Sequence, residues 1–207
     1  LNRLDAGENT VIVTSSGSIL DSNDEADNLI AGALTVNAGS SVTIDTKVSS
    51  AVIASTGSID LDESDAIVLT DIDTIDGTIS VTAGGAITVV DVATGNNNAI
   101  ALTASSGNIA GLAIINTGSG TVTLNSAGSI TDDADDTTMI SSGVLNATAS
   151  TGGIKIDTSV EVANISADGD IDLNEADSIA VSITGTTNKV AKIEAGGSIT
   201  STSIEAQ

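Results

Sequence analysis

Apolar and polar residues alternate with a period of two along most of the chain. This period is typical of short β-strands that turn one side to a core and the other to solvent. The intervening residues are mostly Ser, Thr, Asp, Ala or Val, and no stretch has a convincing helical period. The clearest alternating pairs are Ile79 and Val81, Ile87 and Val89, Ile100 and Leu102, Val122 and Leu124, Val160 and Val162, and Ile179 and Val181.

The phrase Gly-x-Ile recurs between these strands and indicates a structural repeat. Nine glycines, with the variants at Gly39 and Gly153 included, mark the predicted starts of successive turns, and their mean spacing is 22.5 residues. We therefore expect about nine coils of roughly 22 residues. The nine starts are Gly17, Gly39, Gly57, Gly85, Gly107, Gly128, Gly153, Gly169 and Gly197.

Turn chemistry favours stacked coils over hairpins. Two-residue hairpins prefer Asn-Gly or Asp-Gly, but the chain has no Asn-Gly and only two Asp-Gly steps, at Asp76 and Asp168. The sequence therefore predicts an all-β fold, a single-stranded parallel β-helix (β-solenoid). We expect residues 1–207 to form one continuous solenoid segment that is internal to a longer chain, because the pattern has no polar cap and no signal peptide precedes it.

Composition supports this fold. Ile, Val and Thr account for 70 of 207 residues, and these β-branched side chains suit pleated, half-buried surfaces. Phe, Tyr, Trp, Pro and Cys are all absent, whereas Gly numbers 21. Stacked coils place like side chains against each other, so small aliphatic groups can fill the interior without aromatic rings.

The formal net charge of -23 argues against nucleic acid and anionic membranes as partners. No stretch qualifies as a transmembrane helix, so we expect no insertion into a membrane. Acidic residues flank a nearly neutral zone, residues 77–131, whose one ionisable side chain is Asp91. This zone is either a run of ordinary coils or a contact face for a partner. An acidic surface of this kind keeps a protein soluble in a salty extracellular medium, or binds divalent cations.

One acidic phrase is repeated. Residues 57–67 return as residues 169–179, an offset of 112 residues, with seven of eleven positions identical. With Ile59 and Leu61 inward, Asp60 and Asp62 point outward, and Glu63 and Asp65 continue into the corner. Such oxygen ligands suit calcium, the candidate cofactor, but the match to known calcium motifs is poor and the sequence favours plain solvated turns. The candidate metal ligands are Asp60, Asp62, Glu63, Asp65, Asp170, Asp172, Asn174, Glu175 and Asp177.

No set of residues points to catalysis. Paired carboxylates such as Asp132 and Asp133 can hydrolyse sugars, but a sugar site normally adds aromatic platforms and His or Arg partners. The chain has no aromatic residue, no His and only Arg3. Thr-x-Thr faces of ice-binding solenoids would have to recur at every coil, and Thr121-Val122-Thr123 does not recur at that interval. We therefore expect a protein that is not an enzyme.

Taken together, the Gly-Ser-Ile and Gly-Asn-Ile corners and strands such as 100–104 and 121–124 resemble the repeat regions of large bacterial surface adhesins of the filamentous haemagglutinin type. The resemblance implies a right-handed parallel β-helix, export to the cell surface, and a role as a stiff stalk or adhesive fibre. Partners would then be flanking repeats or further copies stacked end to end, and a ligand on a host or neighbouring cell. Two alternatives stay open: a subunit of a self-assembling extracellular filament or sheath, and a calcium- or glycan-binding module.

Overall fold

The computed structural model describes residues 3–21, 27–135, 137, 139–185 and 189–206, and every regular element in these ranges is a β-strand. All strands belong to one sheet, and every pairing within it is parallel. The strands are β1 Leu4–Asp5, β2 Thr10–Ser15, β3 Ile19–Leu20, β4 Leu29–Ala38, β5 Val42–Ser55, β6 Ile59–Glu63, β7 Ile67–Thr74, β8 Ile79–Ala83, β9 Ile87–Val89, β10 Asp91–Thr94, β11 Ile100–Ala104, β12 Ile109–Leu112, β13 Ile114–Asn116, β14 Thr121–Ser126, β15 Ile130–Asp132, β16 Ile140–Ala149, β17 Ile154–Ala167, β18 Ile171–Glu175, β19 Ile179–Gly185, β20 Ala191–Ala195 and β21 Ile199–Ala206.

The chain winds into a β-solenoid of about nine turns with roughly 20 residues per turn, which confirms the predicted fold class. Each turn adds one strand, or one segment of a longer strand, to each of three ladders. Ladder one contains β6, β8, β11 and β14 and continues through the second halves of β16 and β17 to β19. Ladder two runs from the start of β7 through β9, β12, β15 and the start of β17 to β18. Ladder three contains the end of β7, then β10, β13 and the start of β16.

The interior consists of aliphatic columns that run along the axis. In ladder two, six isoleucines occupy one register position in six successive turns, and each is at most 3% exposed. Like side chains therefore contact each other across every 4.8 Å step, which is why the core needs no ring. These residues are Ile67, Ile87, Ile109, Ile130, Ile154 and Ile171.

The Gly-x-Ile phrase does not mark one fixed point of each turn, contrary to the prediction. Ile59 opens a strand of ladder one, whereas Ile87 opens a strand of ladder two. The 28-residue step from Gly57 to Gly85 is therefore one turn of 20 residues, from Ile59 to Ile79, plus the 8 residues from Ile79 to Ile87 that separate the two ladders. Because the predicted spacing combined glycines that precede different ladders, the predicted coil of roughly 22 residues is slightly longer than the observed turn of roughly 20 residues.

Close stacking of the corners requires glycine. A Cβ atom added to Gly77 would lie 2.3 Å from the backbone nitrogen of Ser58 in the preceding turn. Gly169 has the same problem, because its Cβ would lie 2.5 Å from the backbone nitrogen of Gly153. By contrast, a Cβ on Gly17 would have no atom within 4 Å.

We predict that Gly77→Ala lowers the free energy of unfolding by about 1–3 kcal/mol, because the new methyl group must push two backbones apart. Gly17→Ala is the matched control and should change it by less than about 0.5 kcal/mol. Urea denaturation followed by circular dichroism measures both. Equal stability of the two variants would contradict the close approach at Gly77.

Candidate functional site

The first acidic phrase places a carboxylate inside the solenoid. Glu63 is 4% exposed, and it follows Ile59 and Leu61 on the inward side of β6. One of its oxygens, Oε2, accepts hydrogen bonds from the Thr46 hydroxyl and the Val48 backbone N–H, both at 2.8 Å. Oε1 accepts the Asp65 N–H at 3.1 Å. Glu63 is thus the last residue of β6 before the corner, and strand alternation carries its side chain inward, away from the outward Asp60 and Asp62.

The second copy repeats this arrangement. Glu175 is 2% exposed, and its Oε2 accepts the Thr158 hydroxyl at 2.8 Å and the Val160 N–H at 3.1 Å. Its Oε1 accepts the Asp177 N–H at 3.2 Å. Two carboxylates 112 positions apart thus have the same three donors, so the repeated phrase encodes a buried hydrogen-bonded site as well as a corner.

Both glutamates lie where the backbone pairing between successive turns is interrupted, between one ladder and the next. Pairing of β5 with β6 ends at Thr46 and Glu63, and pairing of β5 with β7 begins only at Ser50. The carboxylate accepts the N–H of Val48 inside this gap. The neighbour in the next turn is small, Ala83 beside Glu63, and this leaves room for the longer side chain. Thr158, Glu175 and Ala195 repeat the same column of Thr, Glu and Ala.

Burial dominates the acid–base properties of both groups. It raises the pKa of Glu63 from its ordinary value of 4.5 to about 7, although the hydrogen bonds from Val48, Asp65 and Thr46 act in the opposite direction. Burial likewise raises the pKa of Glu175. A protonated Glu63 can still be satisfied, because the Thr46 hydroxyl is able to accept as well as donate. Each glutamate therefore stabilises a corner of the backbone by accepting hydrogen bonds from the backbone N–H groups and the threonine hydroxyl around it.

The remaining candidates of the first copy lie outside. Asp60 and Asp62 alternate with the inward residues of β6, as predicted, and both are exposed. Asp62 is in register with Asp45 of the preceding turn. Burial, followed by the neighbouring carboxylate of Asp21, raises the pKa of Asp45 to about 6. Asp65 lies at the corner, where the Lys47 ammonium is 3.4 Å from its Oδ2.

Lysines surround the outward side of the second copy. Asp172 is in register with Lys155 on one side and Lys192 on the other, and the Lys192 ammonium lies 3.4 Å from its Oδ1. The same ammonium is 2.9 Å from Glu194. Positive charge therefore already compensates carboxylates that calcium would need.

The other three candidates of this copy are exposed as well. Asn174 is in register with Asp157 and Glu194, and Asp177 lies just past the buried Glu175. Asp170 accepts the backbone N–H of Val190 at 2.9 Å. The inward Glu175 thus lies on the opposite side of its strand from Asp172 and Asn174.

Within the described part of the chain, no group of three or more Asp, Glu, His or Cys side chains is arranged to hold a metal ion. Calcium binding stays a prediction.

The two copies of the acidic phrase face different sides of the solenoid. Ile59 opens a strand of ladder one, whereas Ile171 lies in ladder two, five turns beyond Ile67. At about 4.8 Å per turn, this separates them by about 24 Å along the axis.

The sequence reasoning missed the partners of the glutamates. Thr46 and Val48 belong to the phrase Asp-Thr-x-Val, which recurs as Asp157 to Val160 at the same offset of 112 residues. The repeat is in fact longer than the acidic phrase, since residues 42–67 and 154–179 are identical at 13 of 26 positions. Extending the comparison upstream would have indicated a pair of interacting strands.

Comparisons with known proteins leave the family open. No protein-family model matches the chain, and no curated protein or solved structure is significantly similar to it. The β-solenoid is therefore established by the structure alone, and the filamentous haemagglutinin type stays a resemblance. None of the described segments forms a helix long and apolar enough to cross a membrane.

We predict that Glu63→Ala destabilises the solenoid by about 2–4 kcal/mol, because the buried Thr46 hydroxyl and Val48 N–H and the partly buried Asp65 N–H all lose the acceptor that Glu63 provides. Glu175→Ala should have a similar effect. Asp60→Ala is the matched control: it removes an exposed carboxylate from the same strand and should cost less than about 0.5 kcal/mol. Chemical denaturation measures all three. A loss of stability in Glu63→Ala no larger than that in Asp60→Ala would contradict the stabilising role of the Glu63 hydrogen bonds.

A second prediction concerns pH. An acid whose pKa is higher in the folded than in the unfolded state stabilises the fold at low pH, and this stabilisation is lost as the pH rises. For Glu63 the window is pH 4.5 to 7, and the difference corresponds to about 3 kcal/mol at most. The melting temperature should therefore fall between pH 5 and pH 8. Glu63→Gln, which cannot ionise, should flatten this slope, and an unchanged slope would contradict the assignment.

Proposed function

We propose that this chain is a non-enzymatic structural segment of a large bacterial surface protein, in which it serves as a stiff stalk or part of an adhesive fibre. The observation that supports the proposal is the uninterrupted stack of about nine parallel turns. Backbone hydrogen bonds run along the axis from turn to turn, and aliphatic columns fill the interior. Such a rod resists bending and holds whatever it carries at a fixed distance.

The surface charge agrees with an extracellular role. A net charge of -23 keeps rods soluble and repels other copies, and exposed carboxylates such as Asp60 and Asp62 contribute to it. The proposed partners are flanking repeats stacked on the ends of the rod and a ligand on a neighbouring or host cell. Such stacking would extend the ladders of the solenoid into a longer fibre.

The proposal predicts that this segment is accessible on intact bacteria that make the parent protein. Antibodies raised against the 207-residue chain should label unpermeabilised cells, and external protease should abolish the labelling. An antibody against a cytoplasmic protein is the control and should label only permeabilised cells. Labelling that requires permeabilisation would contradict the surface location.

The shape of the isolated chain separates the stalk from the filament alternative. About nine turns at 4.8 Å give a rod about 43 Å long, and scattering together with negative-stain imaging should show discrete particles of this length. Open-ended fibres would instead favour the self-assembling filament.

A further inference from the structure

The duplication extends further upstream, to a corner where the two copies differ. Residues 17–21 return as residues 128–132, with four of five positions identical. Both segments pair with the following turn at equivalent positions. The corresponding residues of the first and second copies are Asp21 and Asp132, Thr43 and Lys155, and Asp45 and Asp157.

In the second copy, a lysine neutralises a buried carboxylate at this corner. The side chain of Asp132 is 7% exposed, and the Lys155 ammonium lies 3.5 Å from its Oδ1. A buried carboxylate is costly without a positive partner, so Lys155 makes Asp132 tolerable here. In the first copy Thr43 takes the place of this lysine, and the adjacent Lys47 pairs with Asp65 instead.

The first copy nevertheless retains its carboxylates. Asp21 donates its backbone N–H to the carbonyl oxygen of Thr43 at 2.8 Å, which places it next to Asp45 in the following turn. Burial, and then the direct interaction with the Asp21 carboxyl group, raise the pKa of Asp45. The carboxylates of Asp62 and Asp27 add to the negative potential at Asp45. This corner therefore concentrates negative charge where the second copy has an ammonium group.

A buried amide without a partner lies beside the same carboxyl groups. Asn28 is fully buried, and neither Oδ1 nor Nδ2 of its side chain has a hydrogen-bond partner. Its backbone N–H donates to the carbonyl oxygen of Asp45 at 2.8 Å, so the two residues are in contact across successive turns. Buried side-chain amides are normally hydrogen-bonded, and an orphaned one requires an explanation such as an ion or a water.

The second copy has no such amide. Asn28 corresponds to Met139, because their carbonyl oxygens accept the backbone N–H groups of Leu4 and Ile115, which hold the same register position. The copy that has the lysine thus has an apolar side chain here, whereas the copy without the lysine has an amide oxygen. This paired difference is expected if a bound cation replaces the lysine in the first copy.

Two carboxylates and an amide oxygen are hard ligands that suit calcium, which tolerates irregular geometry and completes its coordination with water. We propose that Asp21, Asn28 and Asp45 bind a calcium ion, which replaces the ammonium that Lys155 supplies in the second copy. The set holds only two carboxylates, so it is compatible with the lack of a three-carboxylate group in the described part of the chain. None of the three residues belongs to the acidic phrases, and the inference does not depend on the proposed stalk function.

The test is calcium titration of the intact 207-residue chain after removal of metal with a chelator, at constant ionic strength. Calorimetry should detect one calcium ion per chain with a Kd of about 10⁻⁴–10⁻³ M. A tenfold excess over this Kd should raise the melting temperature by about 3–6 °C. Magnesium should bind at least about tenfold more weakly, because it demands near-ideal octahedral geometry.

Substitutions then identify the ligands. Asp45→Asn and Asn28→Met each remove one ligand and should weaken calcium binding at least about tenfold. Thr43→Lys supplies the ammonium of the second copy, so it should raise the melting temperature in chelator and abolish the response to calcium. Asp157→Asn is the matched control, since Asp157 is the counterpart of Asp45 in the copy that has the lysine, and it should leave calcium affinity unchanged.

Circular dichroism identifies any variant that fails to fold, and the nearly isosteric Asp45→Asn guards against the loss of Asn28→Met. A wild-type chain that does not respond to calcium would overturn the proposal. An equal response to sodium would also overturn it, because it would show plain screening of the surface charge. Folded Asp45→Asn and Thr43→Lys variants that bind calcium like the wild type would do the same. Loss of binding in Asp60→Asn but not in Asp45→Asn would move the site to the acidic phrase and overturn this assignment.

Discussion

The structure depends on the in-register stacking of one turn on the next. Every turn must present its backbone donors and acceptors, and its inward side chains, at the positions that the preceding turn provides. The six stacked isoleucines of ladder two, from Ile67 to Ile171, show the result. Because each turn contacts mainly its neighbours, a misfit in one turn cannot be compensated by packing elsewhere, as it can be in the core of a globular protein. This requirement explains both the restricted composition and the glycines at close corners.

The buried glutamates show how the fold manages the places where stacking fails. At the corner between ladders one and two, the Val48 N–H has no carbonyl in the next turn, and the Glu63 carboxylate takes that role. The burial of this carboxylate is costly, as its raised pKa shows. Three donors and a small neighbour, Ala83, make the arrangement tolerable. The chain uses this solution twice, with matching partners, so it belongs to the repeated unit itself.

The sequence was sufficient for the fold class and insufficient for the phase of the repeat. Alternation and Gly-x-Ile predict stacked parallel strands because both follow from local geometry. The phase of the repeat, meaning which ladder a given Gly-x-Ile phrase opens, does not follow from local geometry. Gly57 and Gly85 precede strands of different ladders, and because the corners vary in length, the spacing along the chain does not reveal this difference. The burial of Glu63 follows from the alternation of β6, but its hydrogen bonds could not be predicted in the same way. Two of its three donors, the Thr46 hydroxyl and the Val48 N–H, come from the preceding turn.

The offset between the two acidic corners has a geometric consequence. Passing from the first copy to the second takes five turns and one further ladder, so the repeat acts as a screw operation around the rod axis. In a fibre extended by further copies of the same 112-residue step, each acidic corner would face a different side of the rod from the corner before it. Because there are three ladders, the corner of the fourth copy would face the same side as that of the first. Carboxylates from successive copies would thus be distributed around the circumference. A flat partner would then touch one corner at a time, whereas a partner that winds around the rod could touch them all.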